Sequence, residues 1–367
     1  MKAAVWHGYK DVRIENRPVP APKAGQVRIK VDYAGICGTD RHEYVGPNFI
    51  PVTKPHRLTG RTAPLIIGHE FSGRIDALGE GVEGWQKGDR VTANGSLTCG
   101  ECEMCRSGRY NICKKLGFVG VGDDGCFAEY LTVDADKLFA IPDGVTQKQA
   151  AVAEPLACGI HATNLIGRLG GVRDKLAIVV GPGIIGIGAF YAAKLAGARK
   201  VLVIGRGEEK RAVIEKHGGE FLNTALLENG AADVPAFVEE WSDGALADVV
   251  YECAGTQQTL DLCVPIVKPG GILMVMGVFG QKPVIDMNTV QEAERIILTS
   301  QAHVNEIAEA LEYIRRGEID AEELVTRVVT LDTLVEDGFE ELERNSRNHI
   351  KVLIRIGGSA DEGGSYE

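Results

Sequence analysis

KLAIVVGPGIIGIGAFYAAKLAGA, residues 175–198, is the stretch on which the fold turns. Its first seven residues are a near-continuous apolar run, as expected of a strand buried on both faces. Gly181-Pro-Gly183-Ile184-Ile185-Gly186 follows, and residues 185–198 read as a helix. A G-x-G-x-x-G between a strand and a helix sits in the context in which that pattern binds a dinucleotide. Gly181 permits the tight turn, Gly183 lets backbone approach a pyrophosphate, and Gly186 lets the helix pack on the strand. The helix N-terminus supplies N–H groups and a positive dipole end for the phosphate. A plain strand-to-helix turn is the alternative, and the context speaks against it.

The next strand, KVLVIG (200–205), bears on which dinucleotide binds. NAD sites usually carry Asp or Glu at its end to hold the ribose 2′-OH. Gly205 and Arg206 stand there instead, with Lys210 and Arg211 close behind. An Arg can pair bidentately with a 2′-phosphate. The reading therefore favours NADP over NAD, with Glu208 or Glu209 left to reach the ribose if NAD binds.

Outward from this point, strands and helices alternate: a helix at 208–219, a strand at 247–255, a helix at 259–271 and a strand at 272–280. Such alternation implies an α/β fold, a doubly wound parallel sheet with helices on both faces, over residues 156–298. Residues 1–155 differ in texture. Short apolar runs such as VRIKV (27–31) and FAEYLTV (127–133) lie between Gly- and Pro-rich turns, which reads as an irregular β domain. Residues 299–356 carry a helix (303–319), VTRVVTL, a second helix (335–345) and IKVLIRI, elements that can return to the first domain. The small polar tail, 357–367, is expected to be disordered.

The chain has 367 residues, a length for two domains. Its 44% hydrophobic content supplies two cores, and a net charge of −11 with no long Lys/Arg run argues against a nucleic-acid partner. No apolar stretch approaches a membrane span, and the N-terminus becomes charged before a signal-peptide core forms. A cytoplasmic protein is the expectation.

Nine cysteines are present, and Cys99, Cys102, Cys105 and Cys113 crowd into fifteen residues within a lobe spanning 95–115. Four thiolates at this spacing satisfy a tetrahedral zinc and leave no open position, so the site reads as structural. Cys37 in GICGTD, His69-Glu70 in IIGHEFSG and Glu154 in AEPLACG are further zinc-ligand types. Three protein ligands leave the open position that a catalytic zinc needs. Spacing alone does not unite residues this far apart, and a lone Cys or His is more often a core residue.

GICGTD, GHEFSG, the four-cysteine spacing, EPLA and GPGIIG, in this order and at these distances, resemble the zinc-dependent medium-chain alcohol and polyol dehydrogenases. The resemblance spans residues 1 to 356. It implies a GroES-like catalytic domain, 1–155 and 299–356, split by an inserted Rossmann domain, 156–298. It also implies two zincs per chain, a nicotinamide cofactor and a homodimer or homotetramer. By position, Cys37, His69 and Glu154 would hold the catalytic zinc, with Glu70 an alternating ligand. Asp40 would orient His69, and Thr39 would pass the substrate proton through the ribose hydroxyl toward His42. Lys351 stands where relatives place a basic residue on the pyrophosphate.

Between Cys37 and His69 runs a long insertion, 43–68, whose GP-x-FIP, PH and TG-x-x-AP pieces resemble the butanediol dehydrogenase group of the butanediol and sorbitol dehydrogenase branch. That group largely prefers NAD, so Gly205-Arg206 departs from it. The implied reaction passes a hydride between a secondary alcohol, a vicinal diol or polyol, and the nicotinamide, with the ketone as the small-molecule product. An amino alcohol, sugar or cyclitol is the alternative substrate, and a catalytically silent nucleotide-binding relative the alternative function. The intact zinc-ligand types speak against the latter.

Overall fold

A computed structural model describes residues 1–46 and 49–357. The tail from residue 358 lies outside the described residues, as do Pro47 and Asn48 of the insertion. The chain divides into two compact units, residues 1–154 with 307 onward, and residues 155–306.

The second unit is built on Leu176–Val180, every residue of which is buried. Six parallel strands lie in the spatial order Glu220–Asn223, Lys200–Gly205, Leu176–Val180, Ala247–Glu252, Val267–Val275, Ile296–Thr299. Numbered along the chain this is 3-2-1-4-5-6, the doubly wound order, with its reversal beside Leu176–Val180. The core joins Ile178, Leu202, Val250 and Leu273 of the sheet to Val238, Leu260 and Val264 of the helices. Both edge strands, Glu220–Asn223 and Ile296–Thr299, are absent from the sequence reading. They span four residues each, too short for a periodic signal. The helix expected at 259–271 runs Gln257–Ile266, capped by the Thr256 hydroxyl; Pro269-Gly270 fall in the strand that follows. The unit extends past 298 to Glu306 because Ile296–Thr299 completes the sheet and Glu306 pairs with His161 at 2.7 Å.

The first unit centres on a seven-stranded sheet, mostly antiparallel. Gln26–Gly35 lies between Glu70–Leu78 and Lys351–Arg355, with Tyr130–Asp134 also paired to it. The register sets Gly35 opposite both Glu70 and Leu353. Three distant segments therefore meet at one end of this sheet. Val27, Ile29, Phe71, Ile75, Phe127 and Ile354 fill the core below. The helix expected at 335–345 is continuous but begins as a π-helix, Leu334–Glu340, before Glu341–Asn345. No helix among the described residues is long and apolar enough to cross a membrane.

Candidate active site

Cys37 follows the strand Gln26–Gly35 and caps the helix Gly38–Val45. His69 stands just before Glu70–Leu78, after Gly68 at φ +94°. A Cβ on Gly68 would lie 2.1 Å from the Phe127 ring, so only glycine lets the chain turn here and present His69. Cys37, His69 and Glu70 each offer a donor atom, and these atoms lie within 4.8 Å of one another. Glu154, in the first turn of Ala153–Gly167, falls outside that cluster. Its charge nonetheless acts on Asp40, His69, Glu70 and Lys351.

This pocket is buried and rich in acids. Burial opposes a charge on His69, but Cys37, Asp40 and Glu154 outweigh it and hold the imidazole well above its ordinary pKa. Burial pushes the Asp40 carboxyl up, and Glu154 adds to that. His69 Nδ1 and Glu70 Oε1 are buried without a hydrogen-bond partner among the described residues. Buried polar atoms are ordinarily satisfied, so the orphaned Glu70 Oε1 beside a thiol and an imidazole fits a cation that completes it. Asp40 stands 3.8 Å from His69 Nδ1, beyond hydrogen-bond length. The expected orienting bond is therefore not made; Asp40 Oδ2 accepts the Cys37 amide at 2.9 Å instead and steadies the turn that carries the thiol.

Lys351 corrects a second expectation. Rather than facing outward toward a pyrophosphate, it is 1% exposed. Its ammonium pairs with the Glu70 carboxylate and donates to the Ile36 carbonyl at 3.0 Å. Burial works against its charge, yet Glu70 and Cys37 outweigh burial and raise its pKa. A Cβ on Gly35 would collide with Glu70 Oε2 at 2.3 Å and Lys351 Cε at 2.7 Å, so the pair occupies space that the glycine leaves.

Thr39 and His42 lie three residues apart on Gly38–Val45, a spacing that shares a helix face. Thr39 is half-buried and His42 exposed. Partial burial and the Arg41 charge lower the His42 pKa, so its ring is neutral near pH 7. His56 of the insertion is half-buried. It packs over Gly117 and Gly122, within 2.6 Å and 3.2 Å of their Cβ positions, and its ring meets the Leu116 carbonyl at 3.3 Å.

The four-cysteine lobe has sulfur separations of 3.4 Å (Cys99–Cys113), 3.5 Å (Cys102–Cys105), 3.9 Å (Cys102–Cys113) and 4.0 Å (Cys99–Cys105). A tetrahedral zinc with bonds of about 2.3 Å requires sulfurs about 3.8 Å apart. The Lys114 and Cys105 amides draw the Cys102 thiol down to about 6, toward the thiolate that binds metal. The helix Glu103–Arg106 buries no residue, so the lobe has little core of its own.

At the glycine loop, Gly181 adopts φ +98° and Gly183 caps Ile184–Leu195. A Cβ on Gly186 would lie 2.1 Å from the Gly181 carbonyl oxygen, whereas one on Gly183 would meet nothing within 4 Å. Gly186 thus serves packing and Gly183 leaves open room before the helix N-terminus. At the end of the next strand, a Cβ on Gly205 would lie 2.8 Å from Pro182 Cγ, so an acid there requires Pro182 to move. Arg206 is exposed, and no described residue pairs with it. Glu208 is held by Arg211 and by Asn223 at 2.7 Å. Lys210 is half-buried just before Arg211–Lys216, and burial lowers its pKa to about 8.

Comparison with known proteins fits both halves. Residues 23–143 match the alcohol dehydrogenase GroES-like domain, and residues 185–316 match the zinc-binding dehydrogenase family. The (R,R)-butanediol dehydrogenase of Bacillus subtilis (strain 168) is 36% identical over 357 residues, 97% of this chain and 99% of that protein. The chain belongs to the zinc-type medium-chain alcohol and polyol dehydrogenases. A sorbitol dehydrogenase of Halalkalibacterium halodurans is 34% identical over 337 residues, 90% of this chain and 93% of its own. The crystal structure of the Bacillus subtilis 2R,3R-butanediol dehydrogenase superposes with a TM-score of 0.88 at 34% identity, covering 97% and 99% of the two chains. An Escherichia coli CFT073 alcohol dehydrogenase complexed with NADH aligns at TM-score 0.84 and 28% identity, covering 97% and 99%. A zinc-binding dehydrogenase of Sinorhizobium meliloti 1021 bound to NADP aligns at TM-score 0.83 and 29% identity, covering 96% and 98%.

The protein is thus an oxidoreductase of secondary alcohols that uses zinc and a nicotinamide cofactor. Sequence reading of this dehydrogenase missed two parts of the site. The helix Ala153–Gly167, which carries Glu154, was signalled only by Pro155 in its first turn, where proline is tolerated. Phe118, whose ring centroid is 6.2 Å from that of His69, had no sequence signal at all.

Proposed function

We propose that this dehydrogenase oxidises a vicinal diol or polyol, with Cys37, His69 and Glu154 as ligands of a catalytic zinc and Glu70 as the exchangeable carboxylate. The observation that carries the reading is the cluster of Cys37, His69 and Glu70 with its unsatisfied Glu70 Oε1. Lys351 engages Glu70, and the Glu154 charge acts on both His69 and Glu70. When bound, zinc supplies a Lewis acid for the alcohol oxygen, and the nicotinamide supplies the hydride acceptor. Thr39, beside the ligand Cys37 on the same helix, holds the substrate hydroxyl and takes its proton toward solvent. His42, neutral and exposed one turn on, receives it. The Phe118 ring beside His69 limits water access from its side.

The four-cysteine lobe takes a second, structural zinc. Cys102→Ser is expected to lose one zinc per chain by metal analysis and to lower Tm by at least ~3 °C, at roughly 2–4 °C per kcal/mol for chains above 150 residues. The glycine loop takes the dinucleotide at Gly181, Gly183, Ile184, Ile185 and Gly186, and Arg206, supported by Lys210, selects NADP. Arg206→Ala is expected to weaken NADP roughly 10–100-fold, the span of a lost charged hydrogen bond, with NAD affinity changed less than about twofold. Fluorescence titration with each reduced cofactor checks this, and equal losses on both would remove the basis for NADP selection.

A second copy of the chain is the proposed partner, as a homodimer or homotetramer. Ile296 and Ile297 lie exposed on the edge strand Ile296–Thr299, an unpaired edge that soluble proteins ordinarily cover. The thiols of Cys126, Cys253 and Cys263, in no disulfide among the described residues, suit a reducing compartment, and we place the protein in the cytoplasm. A screen of diols, polyols, amino alcohols, sugars and cyclitols with NAD and NADP, followed at the nicotinamide absorbance, tests the substrate class. Turnover confined to amino alcohols or cyclitols would replace the diol reading.

A further inference from the structure

Glu252 is a fully buried carboxylate, 0% exposed, at the end of the strand Ala247–Glu252. Burying a charge there is expensive unless the site requires it. Three donors converge on Oε1: the Ala254 amide at 3.0 Å, the Gly255 amide at 2.9 Å and the Thr259 hydroxyl at 2.7 Å. Among the described residues Oε2 has no partner, and it fills the space where Gly277 lacks a side chain; a Cβ there would lie 2.4 Å from it. The Glu252 carbonyl also accepts the Met276 and Gly277 amides at 2.9 and 3.1 Å. One residue therefore ties together the loops that leave two neighbouring strands.

Those loops lie beside the glycine loop. A Cβ on Gly181 would lie 2.9 Å from the Ala254 Cβ, and the Cys253 amide donates to the Val180 carbonyl at 2.9 Å. Gly255 sits at φ +67°, and a Cβ on it would strike the Val278 backbone at 2.4 Å. In a doubly wound sheet, ligands bind outside the carboxyl ends of the strands at the reversal of strand order, where these loops lie.

We propose that Glu252 is a positioning residue of the dinucleotide site, its carboxylate holding residues 253–256 against Gly181 so that the glycine loop and the loop after Ala247–Glu252 form one preformed surface for the cofactor. This rests on the reading that the glycine loop takes the dinucleotide. Glu252 acts through the backbone it holds, so its removal loosens cofactor binding and spares the chemical step. Gln at this position offers the same Oε1 acceptor at the same reach, and so restores the clamp.

The test uses the zinc-loaded full chain and titrates reduced nicotinamide dinucleotide by its fluorescence, beside kcat at saturating cofactor and Tm. Glu252→Ala is expected to raise the cofactor Kd about tenfold, with kcat within about threefold of wild type, and Glu252→Gln to return Kd to within about threefold. Should Glu252→Ala not fold, Thr259→Val, which removes one of the three donors, is expected to raise Kd about threefold in a folded chain. A Kd within twofold of wild type in whichever variant folds, whatever its Tm, would overturn the proposal; so would a Glu252→Ala loss that Gln does not rescue. Gly183→Asp, placed in open room before the helix, separates the two readings. If it binds cofactor as wild type does, the glycine-loop reading fails. If it loses binding while Glu252→Ala keeps it, only the role of Glu252 fails.

Discussion

Cys37→Ser is expected to abolish turnover while leaving the dinucleotide bound. The serine hydroxyl is far less acidic than the thiol and a poor zinc ligand, so a donor to the proposed metal is lost. A metal used as a Lewis acid contributes several kcal/mol to the barrier, so kcat falls by about a thousandfold or more at roughly 1.4 kcal/mol per decade. The glycine loop belongs to the other compact unit and shares no residue with the Cys37 pocket. Cofactor Kd is accordingly expected to stay within about twofold, a range in which independent sites leave each other unperturbed. Stopped-time assays and cofactor titration on the same preparation check both halves. A variant that loses cofactor as well would place Cys37 in a general folding role, and one that keeps its rate would remove it from the metal.

Lys351→Met is expected to destabilise the first unit strongly. Its ammonium is the counter-charge to Glu70 in a pocket that also holds Asp40 and Glu154. Removing one partner of a buried pair leaves the other uncompensated, a cost of about 3–5 kcal/mol. Methionine keeps most of the stem's volume, so the effect reads the lost charge rather than a cavity. Glu70→Gln in the same background is expected to restore part of the loss, because the uncompensated carboxylate is then gone. Urea denaturation of the two single variants and the double variant measures that coupling. Equal, additive losses would show that the pair contributes no interaction of its own.

The second unit was the most legible part of the fold. Leu176–Val180 is wholly buried, and a run of five apolar residues ahead of a glycine loop has few other readings. The strands that escaped notice, Glu220–Asn223 and Ile296–Thr299, sit at sheet edges, where burial imposes little pattern on so short a segment. In the first unit, the thiol of Cys37 and the imidazole of His69 were legible as ligand types, but only their meeting in space unites them. Lys351 was misread for a related reason. Nothing local to the sequence distinguishes a surface lysine from one folded back onto Glu70; the strand register and the missing side chain of Gly35 make that difference. Asp40 shows the same limit, since the capping geometry at Cys37 claims the carboxylate expected on His69.

The strand Gln26–Gly35, which leads into Cys37, borrows its neighbour Lys351–Arg355 from more than three hundred positions further along the chain. During translation, therefore, the ribosome must read past codon 355 before the Glu70 carboxylate meets its ammonium, whereas residues 155–306 form a contiguous body able to collapse earlier. A nascent polypeptide halted before that point lacks both the ammonium that pairs with Glu70 and the strand that borders Gln26–Gly35.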